Sequence, residues 1–599
     1  INNIKISDYP ITIECKQHIY KDLFENSQKK ITKKRLKDWL VSNNYMQAHD
    51  EVRGIDDDIK SSLSSYHKFR KLLTQGILNE AQVENIISRI SFTTDKKRLQ
   101  EYLKTEYPSL IEEDIKYIAN MKFKDYTWEK EFEIKGYFSE RYDDIVSKNN
   151  LSGILHYSPR EIILELFGEF EEETGISFGF GKNLEKIYGY SSNGNILILN
   201  TYGEPSVTST YPGFPITKYH VKNFKIYNVF YNAIDDFDGS PESFKSLINK
   251  LDSQEIKDYK FSFEHIEEWI EKSLVTIKHG DNQTIFESAV NEYQSTKVLI
   301  KSLGMNFEDM AILHSSFTNT SFTSAYFIKL TSVDSNTRCF DEFYQASRKF
   351  KEFIEILSNT PLSFTNIEFL VDYKMLEDKH LPIIKGKYFV QHARKSKKWK
   401  NYQQDISLRK LEDNFEHILN HWFDKSEELE FIVRQFSKNL HGDLYLEDQL
   451  IDAIRNLEVY SRNFKNFKIP QCLSDDEEKA RKSLVDFINT HILEEIRRKF
   501  RNKLKFKKKE PSLSERLKNL FDLIDELNQT KIFSDCDREL LITKLAQTRN
   551  YYTHGDSKDK YPKMITDVHE MYETKLLLQE VLRYYIYQEL DMKYRYKNF

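Results

Sequence analysis

Apolar positions along the chain follow two periods, and the changes between them divide it into three parts. From residue 1 to about 128, apolar residues recur at three- and four-residue steps, which is typical of amphipathic helices. From 129 to about 335 the steps shorten to two and β-branched runs appear, which indicates strands. From about 336 to 599 the helical spacing returns. We therefore predict a mainly α multidomain protein: a helical N-terminal block (1–128), a β-rich α+β middle domain (129–335) and an all-α helical bundle at the C-terminus (336–599).

The same pattern predicts individual elements. A helix is expected at Asp95–Tyr107, near the end of the N-terminal block. Strands are expected at Glu131–Phe138, Gly153–Tyr157, Glu161–Phe170, Asn195–Thr201, Lys218–Tyr231 and Ser324–Thr331. The C-terminal helices are expected at Phe340–Leu357, Leu408–Trp422, Ser426–Lys438, Leu446–Phe464, Asp475–Arg501, Ser512–Asn528, Ser534–Thr553 and Tyr561–Met592.

Composition narrows the class of protein. The 39% hydrophobic and 31% charged residues fit a soluble globular chain, and no apolar run approaches the 18 residues of a membrane span. The net charge of −5 confines any nucleic-acid contact to a local patch. The 4 cysteines lie far apart without a paired motif, so we expect a cytoplasmic protein without a zinc site or other cofactor. The acidic run Asp56–Asp58 fits a helix N-terminus without a metal, and Ile1 in place of Met indicates a trimmed or partial chain.

One short segment carries candidate chemistry. Arg549, Asn550 and His554 close the predicted helix Ser534–Thr553, and Gly555 follows at once. An imidazole can take a proton from a ribose 2′-OH, while a guanidinium holds the phosphate as negative charge builds on it. These residues therefore predict RNA cleavage without a metal. The alternative is structural, because a histidine before glycine can cap the carbonyls at a helix C-terminus.

Two further features bear on this prediction. Arg434 and His441, followed by Gly442, form a competing pair, although Gln435 rather than asparagine follows the arginine. A dense basic run would hold an RNA backbone, or else is a solvated helix end. Its residues are Arg497, Arg498, Lys499, Arg501, Lys503, Lys505, Lys507, Lys508 and Lys509.

The Arg-Asn-x3-His spacing in a helical C-terminal domain resembles the HEPN ribonucleases. From about Phe132 onward the chain looks like the ApeA-type anti-phage HEPN proteins, through Ile134–Phe138, Leu151–Leu155 and Ile162–Gly168. The resemblance implies a homodimer or higher oligomer with two Arg/His pairs in one cleft. It also implies a 2′,3′-cyclic phosphate product, and a middle domain that senses a phage-derived trigger in abortive infection.

The N-terminal block has a resemblance of its own. The segments Gly54–His67, Asp95–Leu99, Leu103–Thr105 and Tyr126–Trp128 are similar, in order, to the recognition lobe of type II CRISPR effector nucleases. The resemblance implies binding of a guide RNA through residues 1–128. It ends at Trp128, and no nuclease motif of those effectors follows. Two alternatives to a ribonuclease function remain. The chain is either a non-catalytic helical scaffold or a fragment of a guide-RNA-binding effector.

Overall fold

The structure is a computed structural model. It describes residues 126–594 with internal gaps, the stretch 96–115 with one gap, and isolated positions between 72 and 86. The longer gaps are 142–149, 171–180, 210–212, 230–233, 275–277, 280–283, 286–292, 317–320, 392–398, 400–405, 466–473 and 505–509. The chain forms two compact units, Ile1–Arg348 with Leu362–Ser396, and Lys349–Pro361 with Lys397–Phe599.

Little of the N-terminal block lies within the described residues. Helix α1, Lys96–Glu106, occupies the predicted position and buries Leu99 and Leu103. It belongs to a small apolar cluster that also contains Leu72 and Ile86. Most of the other helices expected before Lys96, and the resemblance at Gly54–His67, lie outside the described residues.

The rest of the first unit is built mainly from antiparallel strands. In chain order they are β1 Phe132–Ser139, β2 Leu151–Tyr157, β3 Ile162–Leu166, β4 Lys186–Ser191, β5 Ile196–Thr208, β6 Ile216–Val229, β7 Glu255–Ile256, β8 Asp258–Phe263, β9 Lys278–His279, β10 Thr284–Ile285, β11 Lys297–Ile300, β12 Met305–Ser316, β13 Ser321–Ser332, β14 Arg338–Cys339, β15 Phe364–Leu376 and β16 Lys379–Val390. The helices are α2 Pro241–Asp252 and α3 Ile266–Ile270, and α4 Phe340–Ser358 continues into the second unit.

The first six strands close into a barrel. They pair in the order β6-β3-β2-β1-β4-β5, and β5 pairs back onto β6. The other edge of β6 pairs first with β3 and then with β16, so it also carries the sheet β16-β15-β8-β13-β12-β11. The predicted β-rich middle is thus confirmed.

Close packing in the barrel explains two glycines of the motifs noted above. Gly136 and Gly153 face each other in the β1–β2 register. A Cβ at Gly136 would lie 2.4 Å from the carbonyl oxygen of Tyr190, and one at Gly153 would lie 2.5 Å from that of Glu165. Any larger residue would push the backbones of neighbouring strands apart.

Aromatic side chains cluster where β1, β2 and β6 meet β16. Phe224 stacks on Phe389 with ring centroids 4.9 Å apart, and Phe132 stacks on Tyr157 at 4.6 Å. Trp128 is 1% exposed and also lies against Phe389, at 6.2 Å. The residue at which the recognition-lobe resemblance ends is therefore part of the core of the β unit.

Strands β15 and β16 were not expected. They follow residue 335, in the stretch that the sequence placed with the helical part. The β15–β16 register shifts between Leu370 and Tyr373, and such an irregularity interrupts the two-residue alternation that marks a strand. β16 also contains Pro382, a weak strand former.

The second unit is helical, as predicted. Its helices, after the C-terminal half of α4, are α5 Leu408–Leu411, α6 Phe415–Asp424, α7 Ser426–His441, α8 Leu446–Phe464, α9 Asp475–His491, α10 Glu494–Leu504, α11 Leu513–Asp522, α12 Glu526–Ile532, α13 Arg538–His554 and α14 Val568–Glu589. α14 packs along α8 and supplies buried aromatics such as Tyr584 and Tyr585.

Three of the predicted helices are each divided in two. The stretch Leu408–Trp422 forms α5 and α6, with a turn of 3-10 helix at Glu412–Asn414 between them. The stretch Asp475–Arg501 is interrupted at Ile492, whose backbone is extended. The stretch Ser512–Asn528 is interrupted before Asp525, whose side chain accepts a hydrogen bond from the amide of Asn528 and begins α12. Among the described residues, no helix is long and apolar enough to cross a membrane.

Candidate active site at the end of helix α13

Local signals fix both ends of α13. The side chain of Asp537 accepts hydrogen bonds from the amides of Glu539 and Leu540 and begins the helix. Gly555 ends it in the left-handed conformation (φ 65°), and its N–H donates to the carbonyl of Tyr551. His554 is therefore the last residue of the helix and is exposed to solvent.

The position of each candidate around the helix follows from its spacing. Asn550 and His554 are four residues apart and share one face, so the amide can orient the imidazole. Arg549 and His554 are five residues apart, which turns them about 140° from each other around the axis. The Arg549 guanidinium donates to Oδ1 of Asn550 at 3.3 Å, which links the two faces.

A buried carboxylate contacts the arginine. Oε2 of Glu458, on α8, lies 3.6 Å from Nη2 of Arg549, and Oε1 lies 2.6 Å from Nη2 of Arg462. The Glu458 side chain is 11% exposed and that of Arg549 is 30% exposed. The guanidinium thus contacts a buried carboxylate and stays partly exposed to solvent. Sequence reasoning missed Glu458, because nothing near it in the chain marks it.

The loop after α13 is tied back to the helix. The amide of Ile565 donates to the hydroxyl of buried Thr548 at 2.9 Å, and the amide of Lys563 donates to Gln547 Oε1 at 2.7 Å. Asp556 accepts from Lys560 Nζ at 2.6 Å. These hydrogen bonds hold in place the chain that leaves His554.

Hydrogen bonds within the loop also set the charge of Asp556. Its pKa is lowered by the bonds from Lys560 and Tyr561, and more weakly by the charge of His554. An anion therefore sits near the candidate imidazole.

The competing pair lies in a different environment. Nε2 of His441 is 2.8 Å from Oε1 of Glu355, whose side chain is fully buried. Lys351 and Ser437 also bond this carboxylate, at 2.6 Å and 2.7 Å. Arg434 is exposed on α7. His441 thus contacts a buried carboxylate.

The basic run falls only partly within the described residues. Arg498, Lys499 and Arg501 are exposed on α10, which packs against α9. Nε of Arg497 donates to the carbonyl of Ile492 at 2.7 Å, and Nε of Arg501 donates to Oδ1 of Asn489 at 2.7 Å. The Lys503 side chain and the residues Lys505, Lys507, Lys508 and Lys509 lie outside what the structure describes.

Arg549, Asn550 and His554 thus lie at an exposed helix end within a helical bundle. The sequence profile of the Apea-like HEPN domain matches residues 451–596, which include Glu458 and the whole of α13. The profile of ApeA N-terminal domain 1 matches residues 133–422. The chain is thus similar, in order, to the two domains of ApeA-type HEPN proteins, and this pairing supports an anti-phage HEPN nuclease family.

The N-terminal part matches a third family. The profile of the REC lobe of the CRISPR-associated endonuclease Cas9 matches residues 1–141. Its last matched residues overlap the ApeA N-terminal domain and form β1 of the barrel. No curated protein and no solved structure matches the chain.

Proposed function

We propose that this protein is a metal-independent endoribonuclease of anti-phage defence, which acts in the cytoplasm on RNA. The observation that carries the proposal is the placement of Arg549, Asn550 and His554 at the solvent-exposed end of α13. The Apea-like HEPN match over the same helix supports it.

His554, Arg549 and Asn550 each have a separate role in the proposed RNA cleavage. One His554 takes the proton from a ribose 2′-OH, and that oxygen attacks the adjacent phosphorus. Arg549 stabilises the negative charge that builds on the phosphate. A second imidazole protonates the departing 5′ oxygen, which leaves a 2′,3′-cyclic phosphate and a 5′-OH. Asn550, on the same helical face as His554, orients the ring.

Two copies of the chain would supply the two imidazoles. Arg549 and His554 leave one helix about 140° apart, so within one copy the two side chains do not start from the same helical face. Two facing helices can place the arginine of each copy beside the histidine of the other. We therefore propose a homodimer with both pairs in one cleft.

Glu458 positions Arg549 to bind the phosphate. Its buried carboxylate holds the guanidinium at 3.6 Å, and Arg462 shares the same carboxylate. A carboxylate shared between two arginines leaves net positive charge at Arg549 to meet a phosphate. The carboxylate thereby limits the rotamers of Arg549 without neutralising the site.

The proposal also assigns sensing and RNA binding to the other parts of the chain. The β-rich middle would sense a phage-derived trigger, and the basic run would hold the RNA backbone. The REC-lobe match favours one addition, the binding of a guide-like RNA by residues 1–128. Nucleic acid extracted from the purified full chain tests it: a discrete RNA species supports guide binding, and its absence contradicts it.

The central experiment compares two exposed histidines of the same bundle. His554→Ala should lower the rate of RNA cleavage in EDTA by roughly 10²–10⁴-fold, the usual contribution of a general acid or base. His569→Ala, one residue into α14 and also exposed, is the matched control and should keep the wild-type rate. Equal cleavage by wild type and His554→Ala, or a strict requirement for Mg²⁺, would overturn the assignment.

A further inference from the structure

Two imidazoles and a carboxylate converge where α6 meets the chain after α14. Nε2 of His417 lies 3.0 Å from Oδ2 of Asp591, and Nε2 of His421 lies 3.6 Å from the same oxygen. One ligand atom from each of the three residues lies within 4.8 Å of the other two. None of these residues takes part in the chemistry proposed for α13.

The helix itself brings the two histidines together. His417 and His421 are four residues apart on α6, so their side chains lie over one face, and their ring centroids are 4.1 Å apart. Nδ1 of His421 lies 3.0 Å from the backbone carbonyl of His417. Because a carbonyl can only accept, Nδ1 carries the proton, and the lone pair of Nε2 is left for the side of Asp591.

The carboxylate is held by its backbone. Asp591 follows the last turn of α14 and adopts a left-handed conformation (φ 54°), which aspartate tolerates better than most residues. Its N–H donates to the carbonyl of Gln588 at 3.1 Å, and the amide of Met592 donates to that of Tyr587 at 2.8 Å. The carboxylate therefore reaches the histidines from a fixed turn rather than from a free tail.

We propose that His417, His421 and Asp591 form a binding site for a divalent transition-metal ion, Zn²⁺ by ligand preference. Zn²⁺ binds imidazole nitrogen and carboxylate oxygen at about 2.0–2.2 Å, so tetrahedral ligand atoms lie roughly 3.4 Å apart. The distances of 3.0 Å and 3.6 Å lie on either side of that value. Imidazole ligands disfavour Mg²⁺ and Ca²⁺, which prefer oxygen.

The surrounding charges fit a cation at this place. The nearby ammonium of Lys425 is paired with Glu589 at 2.5 Å, so its positive charge is largely offset. Three protein ligands leave a fourth position for water. The ion would tie α6 to the segment that follows α14, and its effect is on stability rather than on the cleavage step.

This inference departs from the expectation of no metal. That expectation came from the separated cysteines and the acidic run Asp56–Asp58. The informative signal was the His-x3-His spacing within the helical stretch Leu408–Trp422. The third ligand is far away in the sequence and could not be predicted from spacing.

Isothermal titration of the metal-free, full-length protein with Zn²⁺ tests the site. Wild type should bind about one ion per chain with a higher melting temperature in Zn²⁺, and Co²⁺ should give the visible absorption of a four-coordinate site. His417→Gln and Asp591→Asn should each weaken binding by at least about tenfold, as expected when a ligand is lost. His569→Gln, which leaves the cluster intact, should bind like wild type.

Each result tests the proposed Zn²⁺ site independently of RNA cleavage. Zn²⁺ binding that is lost in both variants, with wild-type far-ultraviolet circular dichroism, supports the site even if no ribonuclease activity is found. No binding by wild type, or equal binding by the variants, would show that the cluster is only an ion pair between a protonated histidine and Asp591. Loss of cleavage in His417→Gln with unchanged Zn²⁺ affinity would also contradict the proposed structural role.

Discussion

Replacing His441 and Arg434 separately distinguishes the two Arg/His pairs. His441→Ala removes a donor from the buried Glu355 carboxylate, whereas Arg434→Ala changes an exposed side chain. We expect the first to lower stability and the second to leave it nearly unchanged. Neither should reduce the cleavage rate of the folded protein, because the proposed chemistry lies on α13.

The size of the expected stability loss in His441→Ala follows from the charge state of Glu355. Burial alone would raise its pKa, but Lys351 and His441 lower it from 4.5 to about 2. A difference of 4.5 − 2 = 2.5 pKa units corresponds to about 3 kcal/mol in favour of the charged form, at about 1.36 kcal/mol per unit. Lys351 and His441 share this stabilisation, so the loss of His441 should cost about 1–2 kcal/mol. The loss of Arg434 should cost under about 0.5 kcal/mol.

The lowered pKa of Glu355 also determines how the stability loss in His441→Ala depends on pH. A carboxylate with a lowered pKa stabilises the folded state above its unfolded pKa, and this contribution is lost as the pH falls from 4.5 through about 2. The stability difference between wild type and His441→Ala should therefore be large near pH 6 and should shrink as the pH approaches about 3.

Urea denaturation followed by circular dichroism gives the free energies of unfolding, and initial RNA cleavage rates are taken where each variant is folded. His441→Gln is the control that keeps a hydrogen-bond donor to Glu355. A cleavage rate for folded His441→Ala as low as that of His554→Ala would show that the active pair was wrongly chosen. An unchanged unfolding free energy would refute the role assigned to Glu355.

Two further predictions concern the other parts of the chain. Deletion of residues 1–125, which leaves Tyr126 and Trp128 in the core of the β unit, should leave RNA cleavage intact. A deletion that also removes Trp128 should destabilise the β unit by about 3–5 kcal/mol, and equal melting temperatures for the two deletions would contradict this. Replacing Arg498 and Lys499 with glutamine should lower the slope of log K against log salt for single-stranded RNA by about 1.4, or about 0.7 per lost phosphate contact. Glu494→Gln and Glu495→Gln on the same helix serve as the control, and an unchanged slope in the basic variant would mean that these residues are only solvated.

Local patterns predicted the parts of the fold that local interactions determine. Leu446–Phe464 was predicted with its observed limits, because its apolar face is regular and acids occupy its first turn. The strands near Phe132 and Ile216 were also found, since each alternates clearly. β4, β8 and β15 were missed, because strands buried on both faces, or interrupted by register shifts, lose the alternation on which prediction depends.

Barrel closure and the continuing sheet could not be predicted from the sequence. β6 pairs with β3, β5 and β16, and the last of these strands begins about 150 residues later in the chain. No pattern in the residues of β6 identifies β16 as its partner strand. For the same reason the sequence did not indicate that Trp128, at the end of one resemblance, packs in the core of the next domain.

The two Arg/His pairs show the same limit at the level of chemistry. Both motifs place a histidine before a glycine at a helix C-terminus, and Gly442 and Gly555 both adopt the left-handed conformation. What separates them is the carboxylate that each pair meets from elsewhere in the chain. Glu355 binds the imidazole of His441 and holds it against the bundle, whereas Glu458 binds the guanidinium of Arg549 and leaves the imidazole of His554 in solvent. An imidazole must be free to exchange protons with RNA, so the contacts, more than the spacing, favour the pair on α13.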